Sequence, residues 1–289
     1  MKNIDQKDLK DSYLISKYKI QQIYHNLFNA SFLRIQGNRK SMEDYYYIDV
    51  IENIKAIALF DGHGGDDISN ILPKLLKNIN RYVLDYKNLN INIENLSKKI
   101  SKEFIFIDKM LMKNFFYRIG STAIILYILD NNIISINLGD SKSMFINYQF
   151  EKKFETNLHR PNEIIEYYRI INSNNKVTLN NKIYRINNQL SVSRSFGDFR
   201  LKILNSKYDG INSPVSVIPD IYNFFIDENL FIIVATDGFW DYIKYHEIID
   251  IIKKYNSDDT NKISHNLILK SIENGSNDNI SLIFMKIDA

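Results

Sequence analysis

The stretch Leu59-Phe60-Asp61-Gly62-His63-Gly64-Gly65-Asp66 ends an apolar run that begins at Ala56. Such a run is typical of a buried β-strand, and the glycines after it allow the backbone to approach neighbouring groups closely. Asp61 and His63 therefore stand where a buried strand stops. Aspartate can bind a metal ion and histidine can also move a proton, so the stretch raises the question of a catalytic site.

The composition of the 289 residues favours a single large domain. Hydrophobic residues make up 45% and aromatic residues 13% of the chain, which is enough to bury a sizeable core. Apolar periodic segments recur from about residue 20 to the end, and no Pro/Gly/Ser-rich linker divides them. We expect an N-terminal extension over residues 1–30, helical or loosely docked, and one domain over residues 31–289.

Charge and cysteine content exclude several classes of protein. The 37 basic and 34 acidic residues are well mixed and give a net charge of +3, without the basic stripe that binds nucleic acid. The absence of cysteine excludes disulfides, thiolate zinc sites and a cysteine nucleophile. No apolar run reaches membrane-spanning length, and the first residues do not resemble a signal peptide. We expect no nucleic acid or membrane partner, and a cytoplasmic location with the nucleus as an alternative.

The pattern of apolar residues predicts an α+β fold with antiparallel sheets, because helices occur in pairs between groups of strands. Predicted helices cover residues 68–79, with a kink or restart near Pro73, and residues 93–115, 162–171, 242–255 and 260–273. Predicted strands cover residues 122–129, 133–138, 145–147, 183–186, 190–192, 221–225, 231–236 and 280–287.

Carboxylates stand beside the ends of several predicted strands. They are Asp61, Asp140 and Asp237 after a strand, and Asp278 and the pair Glu43-Asp44 before one. A single aspartate in such a place is usually a turn residue that caps its own backbone. If the strand ends converge, mutual repulsion demands a cation, and oxygen ligands favour Mg²⁺ or Mn²⁺. The pattern alone leaves that convergence open.

Eight short motifs occur in an order that resembles the signature of the type 2C metal-dependent protein serine/threonine phosphatases. They are Arg39-Lys40-Ser41-Met42-Glu43-Asp44, Asp61-Gly62-His63-Gly64-Gly65, Gly120-Ser121-Thr122-Ala123, Gly139-Asp140-Ser141, Ser193-Arg194-Ser195-Phe196-Gly197-Asp198, Pro219-Asp220, Asp237-Gly238-Phe239-Trp240-Asp241 and Ser276-Asn277-Asp278-Asn279. The resemblance extends from about Ser31 to Ala289. It implies a four-layer αββα sandwich, in which helix pairs flank two antiparallel β-sheets and a metal site lies at one end.

The resemblance also implies a set of metal ligands for two Mg²⁺ or Mn²⁺ ions. Asp61 would bridge the two ions, and the backbone carbonyl of Gly62 would bind one of them. Asp237 and Asp278 would hold the other ion. The resemblance further implies that Glu43, Asp44 and Asn279 bind the ions through water or support the ligands from behind. It implies Asp140 and Asp241 as ligands of a weaker third ion.

The implied reaction is the hydrolysis of phosphoserine or phosphothreonine in proteins. A water bridging the two ions would attack phosphorus directly, without a phosphoenzyme, while Arg39 holds the phosphate. His63 would protonate the leaving alkoxide, which is worth roughly 10²–10⁴ in rate. Phosphoproteins would be the partners, and a monomer is the default state that the resemblance implies.

Two other functions are weighed against this one. A pseudophosphatase would use the fold to bind phosphoproteins without hydrolysis, and the loss of an aspartate would mark it. A metal nuclease would need a basic, aromatic-lined groove, which the mixed charge disfavours. The sequence also departs from the family at Lys142, where arginine is usual, and over residues 170–186, which lack the glycines of the family's mobile flap. These departures concern substrate choice and flap geometry.

Overall fold

Two antiparallel β-sheets pack face to face, and helices cover the outer face of each. The computed structural model describes residues 21–25, 29–114, 118–204, 207–255 and 259–288. The arrangement confirms the predicted α+β sandwich of four layers. Within the described residues, no helix is long and apolar enough to cross a membrane.

The first sheet has six strands. In spatial order they are β1 (Gln21–His25), β2 (Ala30–Ile35), β17 (Ile280–Ile287), β16 (Leu230–Ala235), β8 (Lys142–Asn147) and β9 (Lys152–Glu155).

The second sheet has seven strands. In spatial order they are β12 (Phe196–Gly197), β5 (Gly120–Ser121), β4 (Ile54–His63), β6 (Ala123–Ile128), β7 (Asn132–Leu138) and β15 (Asp220–Phe225), and β3 (Asp44–Ile51) also pairs with β4. Two small ribbons, β10–β11 (Val177–Asn180 and Ile183–Ile186) and β13–β14 (Ile203–Leu204 and Lys207–Tyr208), lie outside the two sheets.

The helices pack on the outer faces of both sheets. Against the second sheet lie α1 (Asp67–Leu75), α2 (Lys77–Leu89) and α3 (Ile93–Met112), and against the first lie α7 (Tyr245–Lys254) and α8 (Thr260–Glu273). Shorter or peripheral helices are α4 (Ile164–Asn172), α5 (Phe199–Lys202) and α6 (Asp237–Trp240).

Strand β4 shows why the run before Asp61 is apolar at every position. Successive side chains of a strand point to opposite faces. Ile57 and Leu59 belong to the core between the sheets, and Ala58 and Phe60 belong to the core under the helices. Both faces of β4 are therefore covered from Ala56 to Phe60, and no position in this run is left for a polar residue.

Some predicted elements differ from those observed. The helix expected over residues 68–79 is divided at Leu76, so that α1 ends two residues after Pro73 and α2 begins at Lys77. The helix expected to Phe115 ends at Met112, and Phe115 itself lies outside the described residues. Residues 190–192 form no strand, and only an isolated bridge joins Leu190 to Ile186.

The N-terminal extension is described only in part. Residues 21–25 form a strand that pairs with β2, rather than the expected helix or loosely docked segment. Residues 1–20 lie outside the described residues. The boundary between an extension at 1–30 and a domain at 31–289 stays a prediction.

A buried ion pair fixes the loop behind β12 to helix α3. Lys202 Nζ lies 2.8 Å from Asp108 Oδ2, and both side chains are fully buried. Asp108 also accepts hydrogen bonds from Tyr208 Oη and from the backbone N–H of Gly197. Lys202 further donates to the backbone carbonyl of Ser195. Every charged group here is paired, which makes the pair tolerable in a core.

We expect Lys202→Met to lower the free energy of unfolding by about 3–5 kcal/mol, because it leaves Asp108 buried without its counter-charge. Lys262→Met is the matched control, since the Lys262–Asp259 pair is exposed (side chains 68% and 38%). That control should cost less than about 1 kcal/mol. Urea unfolding of both variants measures the difference, and equal losses would contradict the structural role given to Lys202.

A second charged cluster anchors helix α4 to the edge of the second sheet. The carboxylate of Glu166 is 2% exposed and accepts hydrogen bonds from Arg169, Arg194 and Ser193 Oγ. Arg194 also binds Asp220 on β15 at 2.8 Å, so it braces the sheet edge. Burial alone would raise the pKa of Glu166, but the two arginines lower it to about 2.

The lowered pKa predicts a stability that depends on pH. An acid whose pKa falls from 4.5 to about 2 on folding stabilises the protein above pH 4.5 and loses that effect as the pH falls toward 2. Glu166→Gln should therefore cost about 3 kcal/mol at pH 7, and the gap to the native protein should narrow between pH 4.5 and 3. Urea unfolding across this range tests it, with the exposed turn variant Glu52→Gln as control. A gap that stays constant with pH would refute the assignment.

Candidate active site

The strand ends that carry carboxylates meet at one end of the sandwich. Asp44 of β3 lies opposite Asp61 of β4 in the strand register, and the end of β16 lies beside the start of β8. A cleft of about 660 Å³ opens there. Of the carboxylates singled out from the sequence, it is lined by Glu43, Asp61, Asp140, Asp237 and Asp278.

Asp61 and Asp237 line the cleft without a salt bridge or a side-chain hydrogen bond to any described residue. No described residue donates a hydrogen bond to either carboxylate or forms an ion pair with it. Both side chains are only partly exposed. Burial raises the pKa of Asp61 well above its usual value, and repulsion by Asp237 adds to it. Burial and repulsion by Asp140 do the same to the pKa of Asp237. A divalent cation between them would relieve this repulsion, so these residues fit the implied metal.

The protein alone would not complete the coordination of such an ion. Within the described part of the chain, no three histidine or carboxylate side chains are grouped closely enough to enclose one. Backbone carbonyls, water and substrate oxygens would have to supply the remaining ligands. Mg²⁺ commonly keeps several waters and binds one or two carboxylates, which agrees with this arrangement.

Asp278 is paired with the arginine that was expected to bind phosphate. Arg39 Nη2 lies 2.6 Å from Asp278 Oδ2, and the Arg39 side chain is 60% exposed. Asn279 joins the loop that carries Asp278 to the loop that carries Arg39, because its amide nitrogen donates to the carbonyls of Gln36 and Ser41. Its oxygen accepts from the backbone N–H of Glu43. Asn279 thus positions neighbouring loops through their backbones.

Glu43 lies at the surface of the cleft, whereas Asp44 is buried behind it. Glu43 lines the cleft, and its carboxylate accepts a hydrogen bond from Ser41 Oγ at 2.8 Å. Asp44 is 1% exposed and lies behind the cleft, where Ser281 Oγ and Thr236 Oγ1 donate to its Oδ2. Burial raises its pKa to about 7. Its Oδ1 has no hydrogen-bond partner among the described residues, so one acceptor remains for water.

Gly62 is required for steric reasons that the sequence did not reveal. A Cβ at this position would lie 2.5 Å from the backbone oxygen of Glu43 and 2.5 Å from Ser69 Oγ. Gly62 N–H donates to that same Glu43 oxygen at 3.2 Å, and Ser69 Oγ donates to it at 2.6 Å. Glycine therefore lets β4, α1 and the start of β3 come together beside Asp61.

His63 is held by a residue to which the sequence analysis gave no role. His63 Nε2 lies 2.6 Å from Asp198 Oδ2, and Asp198 is fully buried. Ser195 Oγ donates to the same Asp198 oxygen at 2.7 Å. Burial opposes the charged imidazole, but Asp198 raises the pKa of His63 overall. The motif that contains Asp198 was recognised, but its contact with His63 required the fold.

The two carboxylates implied at a third metal ion are joined by another residue without a predicted role. Arg160 Nε lies 3.1 Å from Asp140 Oδ2, and Arg160 Nη2 lies 2.8 Å from Asp241 Oδ1. Asp140 is 3% exposed. Arg160 therefore neutralises this pair in the structure.

Three further arginines line the cleft, and no motif or spacing in the sequence singled them out. They are Arg118, Arg185 and Arg200. Arg185 belongs to β11, in the segment where the sequence departs from the family, and it donates to the carbonyl of Gln189. The cleft thus combines an acidic floor with basic residues around it.

Comparison with known proteins identifies the relatives of this chain. The profile of the family "Protein phosphatase 2C" matches residues 28–280. Human protein phosphatase 1B is 30% identical over 272 residues, which cover 87% of this chain and 55% of that protein. Human protein phosphatase 1A is 29% identical over 267 residues, covering 87% of this chain and 68% of that protein. The chain therefore spans little more than half the length of protein phosphatase 1B.

Solved structures share the fold. A phosphatase from Toxoplasma gondii superposes with a TM-score of 0.76 at 18% identity, covering 93% of this chain and 97% of that one. A Caenorhabditis elegans sex-determining protein gives 0.72 at 20% identity, covering 90% of this chain and 64% of that one. The family match covers most of the chain, and the sandwich is the one these structures share. This chain belongs to the protein phosphatase 2C family.

Proposed function

We propose that this protein hydrolyses phosphoserine and phosphothreonine in proteins with the help of two Mg²⁺ or Mn²⁺ ions. The observation that carries the proposal is the pair Asp61 and Asp237, two carboxylates without a salt bridge or side-chain hydrogen bond to any described residue, in a cleft that also presents Arg39. Membership of the protein phosphatase 2C family supports the same reaction. A monomeric state and a cytoplasmic or nuclear location are further expectations.

Four groups would hold the two ions. They are the side chains of Asp61, Asp237 and Asp278 and the backbone carbonyl of Gly62, and all four residues line the cleft. When bound, divalent ions would neutralise charge on the phosphate oxygens and lower the pKa of coordinated water. Direct attack by water requires no nucleophilic side chain, which agrees with a chain that contains no cysteine.

Arg39 is suited to binding the phosphate. Its guanidinium offers a planar fork of donors that matches two phosphate oxygens. Its side chain is 60% exposed and is held by Asp278 alone among the charged groups of the described residues. It can therefore leave Asp278 for a substrate phosphate by side-chain rotation.

His63 would donate a proton to the leaving alkoxide. Asp198 holds the ring through Nε2 and favours the protonated form. Asp198 is a positioning residue in this scheme, because it contacts His63 and is itself fully buried. All the acidic positions implied for the family's metals are occupied by aspartate or glutamate, so no observation favours the binding-only alternative.

We expect the purified protein to release phosphate from a phosphothreonine peptide only when Mn²⁺ or Mg²⁺ is present. Asp61→Asn should abolish the activity, and the exposed α7 variant Asp250→Asn should retain it. His63→Gln should lower turnover of the peptide roughly 10²–10⁴-fold. It should affect p-nitrophenyl phosphate much less, because nitrophenolate leaves without a proton. A well-folded native protein that releases no phosphate at any metal concentration would overturn the proposed function.

We also expect Asp237→Asn to stabilise the metal-free protein while removing its response to Mn²⁺. The substitution removes a charge that burial and neighbouring carboxylates disfavour, and it removes a metal ligand at the same time. Thermal unfolding with EDTA and with Mn²⁺ measures both effects, with Asp250→Asn as the control. If the variant gained as much from Mn²⁺ as the native protein does, Asp237 would not be a ligand.

A further inference from the structure

The Arg160 guanidinium fills the space between the two carboxylates that resemble a third metal site. Its Nε donates to Asp140 Oδ2 at 3.1 Å, and its Nη2 reaches both oxygens of Asp241, at 2.8 Å and 3.0 Å. Nε and Nη2 thus face different carboxylates. A metal ion bound by both carboxylates would have to occupy the position of this guanidinium and displace it.

The backbone around Arg160 is fixed to the backbone beside Asp140. His159 N–H donates to the carbonyl of Gly139, and Gly139 N–H donates to His159 Nδ1, both at 3.0 Å. Glu163 N–H donates to the carbonyl of Arg160 itself at 3.0 Å. His159 is 1% exposed. The backbone of Arg160 is therefore held in place, one residue away from the hydrogen bonds between His159 and Gly139.

This arrangement differs from the pairing of Arg39 with Asp278. The Arg39 side chain is 60% exposed and bonds one carboxylate, whereas the Arg160 side chain is 24% exposed and bonds two. A metal ion can displace Arg39 into solvent or onto a phosphate. Displacing Arg160 would place a half-buried cation next to a divalent one.

We propose that Arg160 serves as a built-in third cation, so that this protein binds two metal ions and has no third ion between Asp140 and Asp241. The inference rests on the two-ion site of the proposed function. It gives Arg160 a positioning role, because the guanidinium holds Asp140 and Asp241 in place at the edge of the cleft. The charge would be present at every metal concentration, unlike that of a weakly bound ion.

Counting bound Mn²⁺ tests this independently of turnover. Free Mn²⁺ is followed by electron paramagnetic resonance during a titration of the native protein and of Arg160→Met, which keeps an unbranched side chain of similar length. The native protein should bind two ions, and the variant should bind an additional, weaker one. Arg118→Met removes the same charge from another part of the cleft and should bind two ions.

A second pair of variants separates the new site from a general change in charge. Arg160→Met with Asp241→Asn should return to two ions, because the added site requires Asp241. Asp241→Asn alone should also bind two, and this measurement does not depend on the folding of any Arg160 variant.

The outcomes distinguish this inference from the proposed function. A native protein that binds three ions and loses one in Asp241→Asn would overturn the role of Arg160 and leave the proposed hydrolysis standing. Two ions in both the native protein and Arg160→Met would also overturn it. A native protein that binds no Mn²⁺ would overturn both.

Discussion

Mutual repulsion among carboxylates at one end of the sandwich is the constraint on which the site depends. The protein neutralises some of these groups itself and leaves others unpaired. Those with a positive partner are Asp278 with Arg39, Asp140 and Asp241 with Arg160, and Asp198 with His63. Asp61 and Asp237 form no salt bridge with any described residue, and burial makes their charge costly. The unpaired groups therefore mark where an external cation is needed.

The rest of the fold keeps this unfavourable cluster in place. Strand β4 is covered on both faces, so its end cannot move away from its neighbours without opening two cores. A chain of hydrogen bonds lies behind His63. Lys202 Nζ donates to Asp108 and to the carbonyl of Ser195, and Ser195 Oγ donates to Asp198. These groups are buried and mutually satisfied, so Asp198 holds His63 in a fixed position, as the proposed role of His63 requires.

The sequence predicted the parts that depend on local patterns. Helix α8 and strand β17 occur with the predicted bounds, residues 260–273 and 280–287, because their apolar periods and flanking turn residues are regular. The order of motifs predicted the family. Residues 190–192 were predicted as a strand from their apolar character, but two of these side chains are buried in a small core beside α4 instead.

Contacts between distant segments could not be predicted in this way. Arg160 is 81 positions from Asp241, and Asp198 is 135 from His63, so no local period relates them. The need for glycine at position 62 is similar, since it arises from the oxygen of Glu43, directly before β3. In each case the sequence contained the motif, but only the fold shows which distant residue contacts it.

The different exposure and anchoring of the two arginines agree with the roles proposed for them. A group that binds substrate has to exchange partners in every turnover, so the role proposed for Arg39 requires a bond to the protein that is single and accessible, like its bond to Asp278. A group that replaces a bound ion must stay, so it needs two partners and a fixed backbone, as Arg160 has. Both are arginines facing aspartates at similar distances. Exposure and anchoring, rather than charge or distance, separate a ligand-binding residue from a permanent counter-ion.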